Sequence, residues 1–192
     1  MSFKNVARAL VATAALAAAG AATAATFTFQ FTGTVTYGAG VSVPVGTPIT
    51  GSYSYDAKTE PAIHFKGSSS YQIPAPHIIS ATVAGHTITT ERLTVTVVNN
   101  FKGNIEDSLT VMGESMVLDG TTFPEGVFGF VLSSAPLHRD VLKGTKLPRK
   151  VDVPAFDAYE ALSYGVLQIN GGQEGTLLQF KVDSITAVKE VP

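Results

Sequence analysis

Residues 27–56, FTFQFTGTVTYGAGVSVPVGTPITGSYSYD, decide the fold. Phe27, Phe29, Phe31, Val35 and Tyr37 fall on alternate positions, with Gly33 in the same register and Thr28, Gln30, Thr32, Thr34 and Thr36 between them. A strand sends successive side chains to opposite faces, so this spacing predicts a long strand with an aromatic core face and a threonine outer face. Gly38-Ala39-Gly40 breaks it. After the punctuation Gly46-Thr47-Pro48 the alternation resumes, which predicts a second strand over 49–55 that stops at Asp56.

Upstream of this stretch, residues 1–24 read as a signal peptide. Lys4 and Arg8 precede an alanine-rich apolar run, 9–19, and Ala22-Thr23-Ala24 supplies a small-x-small cleavage pattern. A membrane span wants about 20 strongly apolar residues, and this run is shorter and weaker. The expectation is a secreted, extracellular protein with no stable membrane span in the mature chain. Residues 25–192, a little under 170, are then one domain of ordinary length. That is enough to bury a core without cross-links, in keeping with the absence of cysteine.

Downstream the chain is read as strands. Residues 57–70 read as an irregular connection, with a turn at Lys58-Thr59-Glu60-Pro61 and a second break at Gly67-Ser68-Ser69-Ser70. Ile79, Ala81 and Val83 alternate up to a tight turn at Gly85-His86. Leu93, Val95 and Val97 form another core face, followed by strands over 107–112 and 116–118. Asp119-Gly120 is a hairpin dipeptide, and Phe128, Phe130 and Leu132 are a further face. Residues 135–154, with Arg139, Lys143, Lys146, Arg149 and Lys150, read either as a solvated excursion or as an anion-binding loop. Residues 155–162 read as two helical turns or an irregular strand entry, and 165–170 as a strand. The last strand, 175–188, alternates through Leu178, Phe180 and Val182 and then shifts register to Ile185, as a bulge causes. The first and last strands are expected to be partners. Short strands with frequent Gly/Pro turns predict an all-β fold, an antiparallel β-sandwich of jelly-roll or lectin-like type. A membrane barrel needs regular lipid-facing strands, which the prolines at 44, 48, 61, 74 and 76 interrupt.

Composition narrows the function. Of the 13 basic residues, Lys4 and Arg8 lie in the signal segment; the remaining 11 face 15 acidic ones, a mature charge near −4. No basic patch stands out, which argues against a nucleic-acid partner. His64, His77, His86 and His138 are scattered, with no HExxH and no cysteine, which argues against zinc. Gly113-Glu114-Ser115-Met116-Val117 begins like a nucleophile elbow but ends in valine. Glu106-Asp107 is the only adjacent acidic pair, and strand neighbours point to opposite faces, not across a cleft as glycosidase carboxylates do. The expectation is a non-enzymatic protein. Tyr37, Tyr53, Tyr55 and Tyr71 read either as sugar-facing rings or as core. Asn99, Asn100, Asn104, Glu106 and Asp107 gather five oxygen ligands in nine residues around Gly103, a candidate calcium site, although Lys102 and ordinary loop chemistry weigh for a plain loop.

Phe31-Thr32-Gly33-Thr34-Val35 and Gly46-Thr47-Pro48-Ile49-Thr50-Gly51-Ser52-Tyr53-Ser54-Tyr55-Asp56 carry a resemblance. With the late pattern Gly175-Thr176-Leu177 through Ser184-Ile185-Thr186-Ala187-Val188, they resemble the secreted β-rich domains of PEP-CTERM proteins of Gram-negative, exopolysaccharide-producing bacteria. The resemblance implies a cell-surface or extracellular-matrix role, with extracellular polysaccharide as the partner to weigh; apart from the candidate calcium, the residues themselves lead to no expected cofactor. Such proteins end in Val-Pro-Glu-Pro, an apolar helix and a basic tail; here Lys189-Glu190-Val191-Pro192 departs from that pattern, so an anchor is expected to be absent or truncated. Two readings follow: an exported, non-enzymatic surface protein, and a lectin-like module that binds an exopolysaccharide.

Overall fold

A computed structural model describes residues 26–39, 42–100, 106–134, 140–156, 163–170 and 175–188. Residues 1–25, where a signal peptide is expected, Lys189-Glu190-Val191-Pro192 and most of 155–162 lie outside them. Among the described residues ten strands follow one another: β1 (Thr26–Gly38), β2 (Pro48–Asp56), β3 (Ile63–Phe65), β4 (Ser68–Ile73), β5 (Ile79–Val83), β6 (His86–Val98), β7 (Ser108–Leu118), β8 (Thr121–Ser133), β9 (Tyr164–Gln168) and β10 (Thr176–Val188), with a 3-10 turn at Val153–Phe156.

All pairings are antiparallel. Eight strands form a ring in chain order, β1–β2–β5–β6–β7–β8–β9–β10, and β10 returns to pair with β1 along nearly its whole length. The partnership of first and last strands is therefore as the sequence predicts. Two packed sheets are not what forms: hydrogen bonding runs without a gap around a closed barrel. The physical reason is strand length. Where alternation falters the chain bends instead of breaking, so 86–98 and 108–118 are each one long strand. Ser115, at φ 53°, carries the bulge between Glu114 and Met116. Asp183 is the extra residue opposite Thr32/Gly33, the register shift that Ile185 announced. Long bulged strands coil, and a coiled sheet of eight strands closes.

The 57–70 connection is also not irregular. It contains the β3–β4 hairpin, and β4 pairs with Leu93–Val98 of β6 along the same edge that β5 uses at His86–Thr89. Four serine and glycine residues in a row hide this strand from an apolar-alternation reading, because only Tyr71 and Ile73 mark its inner face.

Apolar side chains fill the interior. Phe29, Phe31, Tyr53, Tyr55, Phe128, Phe130 and Phe180 are all buried. Phe31 sits among Phe130 (centroids 5.5 Å), Phe180 (6.2 Å) and Phe128 (6.4 Å). Cross-strand register explains how so many rings fit. Phe31 lies opposite Gly51, Phe128 opposite Gly113, and Phe180 opposite Gly165. A Cβ on Gly51 would stand 2.4 Å from the Phe31 ring, and one on Gly165 2.1 Å from that of Phe180. The Phe31 and Phe180 rings thus occupy the space their partner glycines leave empty, and Thr90 and Ile79 fill that beside Gly113, the small–large alternation a tapering barrel needs.

Of the basic segment 135–154, residues 135–139 lie outside the described residues, and Lys143, Lys146, Arg149 and Lys150 are exposed, as a solvated excursion expects, while its apolar side chains turn inward. Leu142, Leu147, Val151 and Phe156 are buried in the core, so residues 140–156 cover one end of the barrel. Arg149 lies over the Phe27 ring, 5.5 Å from its centroid.

Candidate functional site

The outer wall of β10, β1, β2, β5 and β6 carries polar side chains in two cross-strand rows. One row is Ser184–Thr32–Thr50–Thr82–Thr87, each neighbour directly opposite the next. The other is Thr186–Gln30–Ser52–Ser80–Thr89. Strand alternation puts these residues outside because their neighbours Phe29, Phe31, Tyr53, Ile79, Ala81 and Ile88 point in. Neighbouring strands lie about 4.8 Å apart and alternate residues of one strand about 6.8 Å apart, so the ten side chains form a lattice. Within it Thr32 and Ser184 hydroxyls are 2.8 Å apart, Thr50 and Thr82 3.2 Å, and Ser52 and Ser80 3.4 Å. A hydroxyl has one donor and two acceptor positions, so each paired hydroxyl keeps capacity for a further partner. The wall here is concave, a trough of about 580 Å³ lined by the β1, β2, β5 and β6 members of both rows, with Gly51 and Ala81 at its floor.

The end covered by 140–156 holds the tyrosines. Tyr55 donates to the Pro148 carbonyl and Tyr71 to that of Thr145, 2.7 Å away. Tyr53 stacks on Phe29 at 4.9 Å, and its buried hydroxyl has no hydrogen-bonding partner among the described residues. These three rings are core. Tyr37 alone of the four stays well exposed, at 46%. Burial pushes the Tyr53 phenol well above its ordinary pKa of 10.0, with the neighbouring Tyr55 adding to the shift; burial does the same to Tyr55. An acid whose folded pKa is raised favours the folded state fully below its unfolded pKa and less as pH climbs toward the folded value. Alkaline titration followed by phenolate absorbance should therefore show Tyr53 and Tyr55 ionising only together with loss of the folded circular dichroism signal. Their ionisation in the intact fold would contradict this packing.

The predicted oxygen ligands are used in three ways. Asp107 is 1% exposed, and both its carboxylate oxygens accept backbone N–H groups: Oδ2 from Val141 (2.7 Å) and Leu142 (2.6 Å), Oδ1 from Asn100 (3.1 Å). The Asn99 amide donates to the Leu142 carbonyl and Asn100 donates to Asn99 Oδ1 at 3.4 Å. Glu106 is half-buried beside Asp107, and Asn104 lies outside the described residues. The structure therefore brings Asn99, Asn100 and Asp107 together around the first turn of the covering segment. Among the described residues, no three His, Cys, Asp or Glu side chains gather as a metal-holding group.

Two histidines touch serines. His64 Nδ1 lies 2.8 Å from Ser69 Oγ, and His77 Nδ1 2.8 Å from Ser54 Oγ. Ser69 is 1% exposed and donates its proton to Thr145 Oγ1 at 2.9 Å, so His64 is not placed to take that proton. His86 and Asp119 pair at 2.6 Å across the β5–β6 and β7–β8 turns, and that hydrogen bond, with a second from the Thr87 N–H, holds the Asp119 carboxyl below its usual pKa. This pair ties two hairpins together at the surface.

The lattice is what sequence reading missed. Its signal was present as the threonine outer face of β1, but the rows exist only through pairing with β2, β5, β6 and β10. No protein-family model matches the chain, and neither a curated protein nor a solved structure matches it.

Proposed function

We propose that the chain is an exported, non-enzymatic protein of the bacterial cell surface or extracellular matrix that associates with extracellular polysaccharide through the outer wall of its barrel. The observation that carries this reading is the pair of registered polar rows on the outer wall. The lectin-like role expected from the sequence thus attaches to a barrel wall. Polyols offer the complementary chemistry, since every sugar hydroxyl donates and accepts in the same way as the serines and threonines of the rows. The order of the wall supports a barrel whose outer face meets water. Aromatic side chains point in and hydroxyls out, the reverse of a lipid-facing barrel, whose outer band is apolar. The signal-type leader and the resemblance to PEP-CTERM-type domains support export.

Expression in a Gram-negative host tests the reading. The product should appear in the culture medium with its leader removed near Ala24 or Ala25, as read by intact mass. It should co-sediment with the producing strain's insoluble polysaccharide fraction. An intact Met1 species confined to the cell, or no co-sedimentation, would overturn the proposal.

A further inference from the structure

Resting on the polysaccharide reading above, we infer that the trough selects an uncharged glycan chain laid across the strands, in contact with both rows at once. Three observations carry this. First, the trough is lined by Gln30, serines and threonines from four strands, and none of its lining residues is charged. An acidic polymer would find no cation there and would approach a protein whose 13 basic residues are outnumbered by 15 acidic ones. Uncharged hydroxyl and ring-oxygen groups fit the donors and acceptors present.

Second, the repeat runs across the strands. Within the trough each row sets four registered side chains, Thr32 to Thr87 and Gln30 to Thr89, over three strand gaps, about 14 Å at 4.8 Å each. A pyranose unit advances its chain by roughly one strand spacing, so a glycan crossing the strands meets one side chain of each row per sugar. Along a strand the same rows would be met only twice.

Third, the trough contains no exposed aromatic platform. Phe31 lines it but is only 1% exposed. Sugar stacking therefore contributes little, and affinity comes from many hydroxyl contacts, each with a modest net worth of about 0.5 to 1.5 kcal/mol. A monosaccharide makes too few of them to be held. The ligand class is a neutral polymer, and affinity rises with chain length until about four units span the trough.

Binding of the mature protein to a neutral β-glucan, to an acidic uronate polymer, and to neutral oligosaccharides of one to six units is the test. Each is measured at low salt and at about 1 M salt, where surface electrostatics are screened to roughly 3 Å. The expected result is retention on the neutral polymer that salt leaves unchanged, with affinity climbing to a plateau at about four units. The double variant Thr50→Val/Thr82→Val, which keeps shape and removes two hydroxyls, should weaken binding at least tenfold with melting temperature retained. Thr110→Val, on β7 outside the trough, should bind as wild type. Salt-sensitive binding to the acidic polymer alone would overturn the uncharged-ligand inference while leaving the polysaccharide reading intact. Binding that the double variant does not weaken would move the site elsewhere on the surface. Binding to none of the polymers would overturn the inference and the polysaccharide reading together.

Discussion

Phe180→Ala should destabilise the protein by about 3 to 5 kcal/mol. Phe180 is fully buried in the middle of β10, and its ring stacks between Phe31 at 6.2 Å and Phe128 at 5.9 Å. The truncation would leave a cavity that nothing nearby is shaped to fill. Gly165, directly opposite, has no side chain, and the facing strands are held by ladder hydrogen bonds on both sides of β10. The cost therefore lies at the unrelaxed end of the large-to-small range, where the cavity term adds to the lost transfer energy. For a domain of this size the loss corresponds to a fall in melting temperature of roughly 6 to 20 °C. The effect should also be cooperative, because β10 closes the ring between β1 and β9. Denaturant unfolding of the variant should keep the wild-type slope with a lower midpoint. A melting curve unchanged by the substitution would place Phe180 outside the core. Gly165→Ala approaches the same packing from the other side: its Cβ would meet the Phe180 ring at 2.1 Å, so a variant with an empty opposite position and one with an overfilled one should both be destabilised.

Much of this architecture was legible because period-two alternation survives in the strands that carry aromatics. Phe29 and Phe31 mark β1, Tyr53 and Tyr55 mark β2, and Leu178, Phe180 and Val182 mark β10, with its bulge visible as the shift to Ile185. The hairpin dipeptide Asp119-Gly120 turns as its residue types require, with φ of 49° and 82°. What alternation does not encode is closure. Whether strands form two layers or one ring depends on their length and coil, and both were set by bends inside 86–98 and 108–118 that read as breaks. Ser68–Ile73 was hidden for a different reason: a serine-rich strand that borrows half an edge of β6 has too few apolar positions to announce itself. The polar lattice sits between these cases. Its composition was plain in β1, yet Thr50, Thr82 and Thr87 become one row only through three separate strand registers, which lie in the pairing and not in any local stretch.

Asp107→Ala should cost about 3 to 5 kcal/mol and do so by releasing one end of the barrel. The carboxylate is buried against the N–H groups of Asn100, Val141 and Leu142, and the residue's backbone is fixed by Ser134, whose Oγ accepts its N–H at 2.8 Å and whose N–H donates to its carbonyl at 2.8 Å. Hydrogen bonds to an ionised acceptor are worth about 1.5 to 3 kcal/mol each, and removing the acceptor strands up to three donors in a space water reaches poorly. Asp107→Asn keeps the volume but turns one oxygen into a donor that faces other donors, so it should also destabilise, though less. The loss should be local before it is global. Val141 and Leu142 amides should exchange faster, and Tyr55 and Tyr71, whose hydroxyls bond to carbonyls of the same segment, should become accessible. Calcium gives a second axis to the experiment. An ion bound through Asp107, at a hundred times its dissociation constant, would add about 2.7 kcal/mol to the wild type, and Asp107→Ala would erase that increment. A clamp of N–H groups requires no ion, because its positive partners are the backbone dipoles of the segment it holds. The expected result is therefore a wild type that unfolds identically in calcium and in chelator, with Asp107→Ala destabilised equally in both. A calcium-dependent wild type with a calcium-insensitive variant would instead return Asn99, Asn100, Asn104, Glu106 and Asp107 to the role of ligands.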